Sequence, residues 1–394
     1  MRAQFLIILA SRGLGSVLQA AVLVLLARAV PLSTFGLVNV VIGVVGILLV
    51  VTGLGMSTYV PRARARGDSA EVVAGLRLNT LSNLATGVCL AIAIAVWTSI
   101  GEMPVALAVI GVSLALERNV DTLLGVPIAD GDSRTPAVSM LLRRSVSLVV
   151  LVGALSAHLD PLWSYGAGLL LGALAAQLHV RRVIDLDETT GRISMRVLMR
   201  EAWPFLVSNV TAQARTLDTA VVAAAMSASA AGLYSAASKL VQPLLLIPQT
   251  IGAVVTPHAA RLEPRAARRL GVKLVVVFTA ALVPIVPLMV FAERLIVLVL
   301  TDKYAGAGPA LAFSLAGLPF MSLSASLGAL LQGQGAERYV AVNGTVFALL
   351  MFPAILVGAA TAGIGGAAAG LALSYLLRSA VLVRAVLRLG SAAR

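Results

Sequence analysis

Charge is what this 394-residue chain has least of. Only 12% of its residues are Asp, Glu, Lys or Arg, about half the share that soluble domains carry. With 59% of residues hydrophobic and a mean hydropathy of +0.98, it cannot clothe a water-facing surface, which excludes a string of soluble domains. Cysteine is reduced to Cys89, which excludes a disulfide framework and any multi-thiolate metal or iron–sulfur site. The three histidines, His158, His179 and His258, are too dispersed to form a ligand cluster. Aromatic residues make up 5%, and nothing resembles a recognition helix or a base-stacking surface, so the net charge of +13 is not read as a nucleic-acid signal. There is no nucleophile–base pair, metal motif or nucleotide motif. Neither an enzyme nor a cofactor nor a metal ligand is expected.

What the chain does have is apolar runs. A bilayer core takes about 20 mainly apolar residues per helix. Such runs fall at 4–28, 35–58, 74–98, 104–129, 137–157, 163–181, 201–225, 232–256, 272–292, 307–331, 340–360 and 365–388. They predict an all-α polytopic membrane protein of about twelve transmembrane helices. The first run ends on Ala27-Arg28-Ala29, which mimics a signal-peptide cleavage site. Arg12 interrupts it and it is too long for a signal, so it is read as span one. With the N-terminus inside, nineteen basic residues fall in cytoplasmic segments, among them Arg62, Arg64 and Arg66, Arg196 and Arg200, and Arg261 to Arg269. Three fall outside: Arg28, Arg294 and Lys303. That asymmetry predicts cytoplasmic termini.

The chain also repeats itself. At an offset of 196, Phe35-Gly36-Leu37-Val38 falls on Ala231-Gly232-Leu233-Tyr234, and Pro61 on Pro257. At an offset of 204, Gly131-Asp132-Ser133-Arg134 resembles Gly335-Ala336-Glu337-Arg338. Residues 1–185 and 201–394 are therefore read as two six-helix lobes, with 186–200 as a cytoplasmic linker. An even number of spans per lobe gives both the same orientation, related by a pseudo-two-fold axis along the membrane normal. A central cavity between the lobes follows from that architecture, which many secondary transporters share.

Eight basic residues lie inside the spans: Arg12, Arg77, Arg118, Arg143, Arg144, Arg215, Lys239 and Arg378. Three acids oppose them, Glu117, Asp121 and Asp218. A charge at mid-depth costs about 2.5–3.5 kcal/mol on insertion scales, so each should face a cavity or a partner. On span seven, Ser208, Thr211, Arg215 and Asp218 recur at helical spacing and share one face, where Arg215 can pair with Asp218. Ser235, Ser238, Lys239, Gln242 and Gln249 form a second stripe on span eight. On span one, Arg12, Gly15 and Gln19 occupy the repeat positions of Ser208, Thr211 and Arg215. The candidate substrate-binding residues are Arg12, Gln19, Arg118, Asp121, Arg215, Asp218, Lys239, Gln242 and Arg378.

Several of these residues have a second reading. Arg118 either neutralises Glu117 and Asp121 as an internal salt bridge or lines the cavity. Arg143 and Arg144 either snorkel to headgroups or serve function, and Arg77 is expected to snorkel. Ser322, Ser324 and Ser326 read as helix-packing hydrogen bonds. Gly363, Gly365, Gly366 and Gly370 follow a small-xxx-small spacing and read as helix packing rather than a phosphate loop. Asp185-Leu186-Asp187 reads as part of a solvated linker. Pro243, Pro248, Pro284, Pro287, Pro319 and Pro353 are expected to kink the helices of the second half.

Ala27-Arg28-Ala29-Val30 with Phe35-Gly36-Leu37, then Gly53-Leu54-Gly55 and Pro61-Arg62, resembles the opening of the polysaccharide flippases. These belong to the multidrug/oligosaccharidyl-lipid/polysaccharide exporter superfamily. Arg215-Thr216-Leu217-Asp218 before Gly232-Leu233-Tyr234, Ile247-Pro248 to Pro257, and Leu331-Gln332-Gly333-Gln334-Gly335 resemble the family's second repeat unit. The resemblance implies a flippase in the bacterial cytoplasmic membrane. It would carry polyprenyl-pyrophosphate-linked oligosaccharide outward for capsule, O-antigen or exopolysaccharide assembly. Its partners would be that anionic lipid-linked glycan and membrane lipids. H+ or Na+ as coupling ion, and a glycan polymerase or glycosyltransferases, stay open as further partners. A basic cavity agrees with this, since Arg binds phosphate bidentately; Arg12, Arg215 and Lys239 are the groups expected to hold the pyrophosphate. The chain lacks the extra helix pair of the peptidoglycan-precursor branch. Two alternatives stand: a cation-coupled multidrug or small-molecule antiporter of the same superfamily, for which Asp121 and Asp218 leave room, and a non-transporting scaffold of a glycan-assembly complex.

Overall fold

The computed structural model of the chain describes residues 2–99, 101, 104–184, 194–245, 255–256 and 258–389. Several sequence assignments lie outside the described residues: Asp185, Asp187 and Glu188 of the linker, Ile247, Pro248, Gln249, Pro257, and the side chain of Ser208. Every regular element among the described residues is a helix. A bilayer imposes this, because without water a spanning segment must satisfy its own N–H and C=O groups.

By contact the chain forms two compact units, Met1–Val30 with Val40–Leu217, and Pro31–Asn39 with Asp218–Arg394. The first holds α1 (Arg2–Ala29), most of α2 (Leu32–Thr52), α3 (Met56–Arg66), α4 (Ser69–Ser99), α5 (Ala106–Leu123), α6 (Gly125–Ala129), α7 (Arg134–Ser156), α8 (Pro161–Val183) and α9 (Met195–Gln213), and closes on a 3-10 turn, Ala214–Leu217. The second holds the start of α2 with α10 (Asp218–Ala225), α11 (Ala228–Val241), α12 (Pro264–Ala280), α13 (Leu282–Val290), α14 (Ala292–Val299), α15 (Gly308–Gly333) and α16 (Glu337–Leu387).

Among the described residues, seven helical stretches are long and apolar enough to cross a membrane. The last, α16, is two helices meeting where Ala362 and Gly363 leave helical geometry. Others are jointed: α2 runs into α3, α5 into α6, α9 through the 3-10 turn into α10, and α12 into α13. Together the helices cover the twelve apolar stretches, the eighth passing from α11 into residues outside the description. One boundary moves: α9 begins at Met195, within the stretch assigned to the linker. Its first turns are amphipathic, burying Leu198 and Ala202 while Arg196 and Arg200 stay exposed.

Apolar side chains fill the interior of each unit and also face outward. Met56, Tyr59, Val72, Leu76, Val120, Val180 and Leu198 form a core in the first unit. Phe278, Leu323, Leu327, Leu330, Leu382 and Val386 form one in the second. Outward, Val149 is 69% exposed, Val283 72% and Leu298 76%. Such an apolar exterior suits lipid as its solvent. Of the serines read as helix-packing groups, only Ser324 reaches another helix, at Tyr375 O 3.4 Å away; Ser322 and Ser326 donate back within α15 to Leu318 O and Ser322 O, both at 2.8 Å.

The sequence repeat has a physical counterpart in the second unit. A Cβ on Gly36 would strike the carbonyl of Ala228 and lie 2.8 Å from Gly232 N. A Cβ on Gly232 would strike the carbonyl of Leu32 and lie 3.5 Å from Gly36 N. Leu32 and Ala228, like Gly36 and Gly232, are 196 residues apart, so each glycine packs on the residue four positions before its own repeat mate. That reciprocity is the mark of an isologous contact. Beside it, the Phe35 ring meets Tyr304 edge-on at 6.0 Å. Gly36→Val and Gly232→Val are each expected to abolish recovery of monodisperse protein on size exclusion, since the added carbons meet backbone rather than a yielding side chain. Gly153→Ala, whose Cβ has nothing within 4 Å, should be recovered like the parent.

Candidate functional site

The charges inside the spans sort into those that are answered and those that are not. Glu117 and Asp121 lie one helical turn apart on α5 and face α7. Arg143 there lies 3.3 Å from Glu117 and 3.0 Å from Asp121, and Arg144 lies 2.7 Å from Glu117. Arg143 is only 5% exposed. It does not snorkel, and Arg144 is tied to the same carboxylate, which corrects that expectation for both arginines.

The salt-bridge reading of Arg118 is corrected with it. Arg118 follows Glu117 in sequence and so points about 100° around the helix from the acids. Its guanidinium instead donates to Ser57 Oγ at 3.2 Å. Ser57 Oγ also accepts from Asn209 Nδ2 at 3.3 Å, and Asn209 in turn reaches Thr58 Oγ1 at 3.2 Å. These residues come from α3, α5 and α9, all in the first unit. The junction that places Ser57 depends on Gly55. This residue has φ +76°, and its Cβ would crowd Ala202 O and Leu206 N of α9.

Span seven departs from the periodicity assumed for it. The α-helix ends at Gln213 and tightens into the 3-10 turn Ala214–Leu217, which contains Arg215. The expected Arg215–Asp218 pair is not among the ion pairs of the described residues, because the Asp218 carboxylate is taken up by other donors. Asp218 is buried and accepts from Thr219 N at 2.6 Å, Thr219 Oγ1 at 3.2 Å and Tyr234 O–H at 3.2 Å. Arg215 is half-buried and has no ion pair among the described residues. Arg12 is exposed, and the buried Oε1 of Gln19 has no hydrogen-bond partner among them. In the second unit Lys239 is half-buried on α11 and Gln242 is exposed in the following 3-10 turn. Arg378 buries an Nε with no partner among the described residues.

Sequence reasoning passed over two polar groupings. Asn79 donates to Asn119 Oδ1 at 2.9 Å, Thr80 to the same oxygen at 3.0 Å, Thr122 to Asn79 Oδ1 at 3.1 Å, and Asn119 to Gln177 at 3.3 Å. This network ties α4, α5 and α8 by interhelical hydrogen bonds. Its signal was legible: amides at Asn79, Asn119 and Gln177 inside apolar runs. The second grouping holds the start of α9. Tyr59 O–H lies 2.7 Å from Glu71 and 3.1 Å from Glu201, Arg66 lies 2.6 Å from Glu71, and the Arg62 guanidinium stacks 5.4 Å over the Phe205 ring. Nothing in the local sequence pairs residues so far apart.

Helix-only spans with this charge content define a polytopic transporter fold, and solved structures match it over nearly its whole length. An inward-facing multidrug-resistance MATE-family transporter of the MOP superfamily matches with TM-score 0.71 and 14% identity, covering 99% of this chain and 100% of that one. The outward-facing conformation of a MATE-family transporter matches at TM-score 0.64 and 17% identity, covering 99% and 96%. A MOP-superfamily transporter from Pyrococcus furiosus, whose reverse polarity of the binding pocket suggests a different function, matches at TM-score 0.68 and 16% identity, covering 99% and 96%. At these identities the likeness establishes the fold, that of the twelve-helix MATE transporters. Residues 1–263 match the family model of the polysaccharide biosynthesis proteins, and the chain belongs to that family. Comparison with curated proteins gave no match.

The buried ion cluster makes a direct prediction. Arg143→Met leaves Glu117 to Arg144 alone and Asp121, whose side chain is 43% exposed, without its ion pair, and should destabilise the detergent-solubilised protein by about 1.5–3 kcal/mol. Adding Glu117→Gln and Asp121→Asn should restore most of the loss. Thermal unfolding of the three forms reads this out, and an unchanged melting temperature in Arg143→Met would refute the cluster's role.

Proposed function

We propose that this member of the polysaccharide biosynthesis family is a flippase. It moves an anionic polyprenyl-pyrophosphate-linked oligosaccharide from the cytoplasmic to the outer leaflet by alternating access, for assembly of a cell-surface polysaccharide. The observation that carries the reading is the uneven neutralisation of charge. Glu117 and Asp121 are taken up by Arg143 and Arg144, while Arg12, Arg118, Arg215 and Arg378 have no carboxylate partner among the described residues. Guanidinium groups left without an acid inside apolar spans favour an anionic cargo, and their planar fork suits phosphate oxygens. Arg12 and Arg215, both in the first unit, are the groups we assign to the pyrophosphate, with Gln19 available to sugar hydroxyls. Outward movement of a negative charge from a negative-inside cell gains about 2.3 kcal/mol per charge per 100 mV.

One observation favours a second reading. Asp218 is a buried carboxylate with neutral partners only among the described residues, as a cation-coupled antiporter of the same superfamily would require. The two readings part in a deletion strain. The flippase reading expects complete lipid-linked oligosaccharide to accumulate facing the cytoplasm, relieved by the wild-type protein. Arg215→Ala should express normally and fail to relieve it; full relief by Arg215→Ala would remove that assignment. Unchanged lipid-linked sugars together with lost drug efflux would favour the antiporter.

A further inference from the structure

We propose that Arg118, Ser57 and Asn209 form a phosphate-binding site in the first unit, at the junction of α3, α5 and α9. The inference deepens the flippase reading by placing a group that meets the pyrophosphate, and it rests on that reading for the identity of the cargo. The argument begins with what Arg118 does not have. Its neighbours Glu117 and Asp121 are held by Arg143 and Arg144 at 2.7–3.3 Å. Arg118 itself has no carboxylate within ion-pairing distance among the described residues. It is half-buried within a membrane span, where an unanswered charge is expensive.

What surrounds Arg118 is a set of neutral polar groups, the Ser57 hydroxyl and, beyond it, the Asn209 carboxamide, which also exchanges hydrogen bonds with Thr58. The Arg118 Nη2 and the Asn209 Nδ2 both point to Ser57 Oγ, at 3.2 and 3.3 Å. A hydroxyl accepting two such bonds must aim its own hydrogen elsewhere. Ser57 is also the second residue of α3, an eleven-residue helix; the neighbouring amides of Met56, Thr58 and Tyr59 donate to Gly53 O and Gly55 O, and the positive end of the helix dipole favours a negative charge there. Guanidinium, hydroxyl, carboxamide and helix N-terminus thus meet at one place with no acid among them. A phosphate group supplies the missing acceptors. Gly55, with its positive φ and its close approach to α9, fixes the junction that brings Ser57 and Asn209 together.

The full-length protein in lipid nanodiscs, titrated by calorimetry with inorganic pyrophosphate and with farnesyl pyrophosphate, tests the site. Arg118→Gln should weaken binding by about 10- to 100-fold, the range for a lost hydrogen-bonded contact to a charged group. Arg118→Lys should weaken it less, since the charge stays and the fork is lost, and Asn209→Ala should weaken it by a few-fold, about the worth of one neutral contact. Arg265→Gln, an exposed arginine outside the site, should bind like the parent.

Melting temperatures measured on the same samples separate binding from mere stapling of helices. A variant that loses stability but binds the probe like wild type assigns Arg118 a structural role and overturns the proposal. So does equal weakening by Arg265→Gln, or binding of neither probe by the wild type. Tighter binding of farnesyl pyrophosphate than of inorganic pyrophosphate assigns the site to a lipid headgroup; equal binding assigns it to a free anion, and the site stands in both cases. If Arg118-dependent binding holds while the deletion strain accumulates no lipid-linked sugar, the flippase reading falls and the site remains. If sugar accumulates but binding ignores Arg118, the site falls alone.

Discussion

A charged side chain within an apolar span must find an answering group within a few ångströms, because the surrounding lipid offers none. Much of the first unit is arranged around that constraint. Arg143 sits nearly fully buried because Glu117 and Asp121, one turn apart on α5, present two carboxylates to it. Arg144 shares the first of them. This closed cluster consumes the acids, and the consequence falls on Arg118, which the helix turns away from its own sequence neighbours toward Ser57. The same geometry that neutralises one pair of arginines leaves the third with neutral polar groups only.

Backbone proximity is the second constraint. Lipid gives little hydrophobic drive for helices to associate, so they gain by close packing and interhelical hydrogen bonds. At Gly36 and Gly232 the backbones approach until no side-chain carbon fits, and the contacts are reciprocal across the 196-residue offset. A weak sequence repeat in a chain rich in Ala, Leu and Val could arise by chance. A contact in which each glycine meets the residue four positions before its own repeat mate ties the short Phe35-Gly36 and Ala231-Gly232 matches to a packing requirement.

The count and order of the spans were legible because twenty apolar residues in a row have few other meanings. Polar stripes were legible only where the helix stayed regular. The spacing of Ser208, Thr211, Arg215 and Asp218 assumed one uninterrupted α-helix, whereas the α-helix stops at Gln213 before the 3-10 turn Ala214–Leu217, and the Asp218 carboxylate accepts from Thr219 and Tyr234. The partner choices of Arg118, Arg143 and Arg144 were hidden for a different reason. Sequence adjacency favoured Arg118 as the partner of Glu117 and Asp121, whereas adjacent residues on a helix point about 100° apart. The hold of Tyr59 on Glu201 spans 142 residues, and no local pattern encodes it.

Within one fold, then, the class of cargo is set less by the helices than by which charges are left over once the internal pairs are closed. The matching structures include multidrug transporters and a transporter from Pyrococcus furiosus whose binding pocket has reverse polarity, so the architecture tolerates either sign. In this chain the acids on α5 are consumed internally and the acid at Asp218 is enclosed by hydroxyl and amide donors. The arginines at 12, 118 and 215 are not answered by acids among the described residues. A cation entering such surroundings would meet like charge in low dielectric, which is repulsive, and an anion would meet the opposite sign.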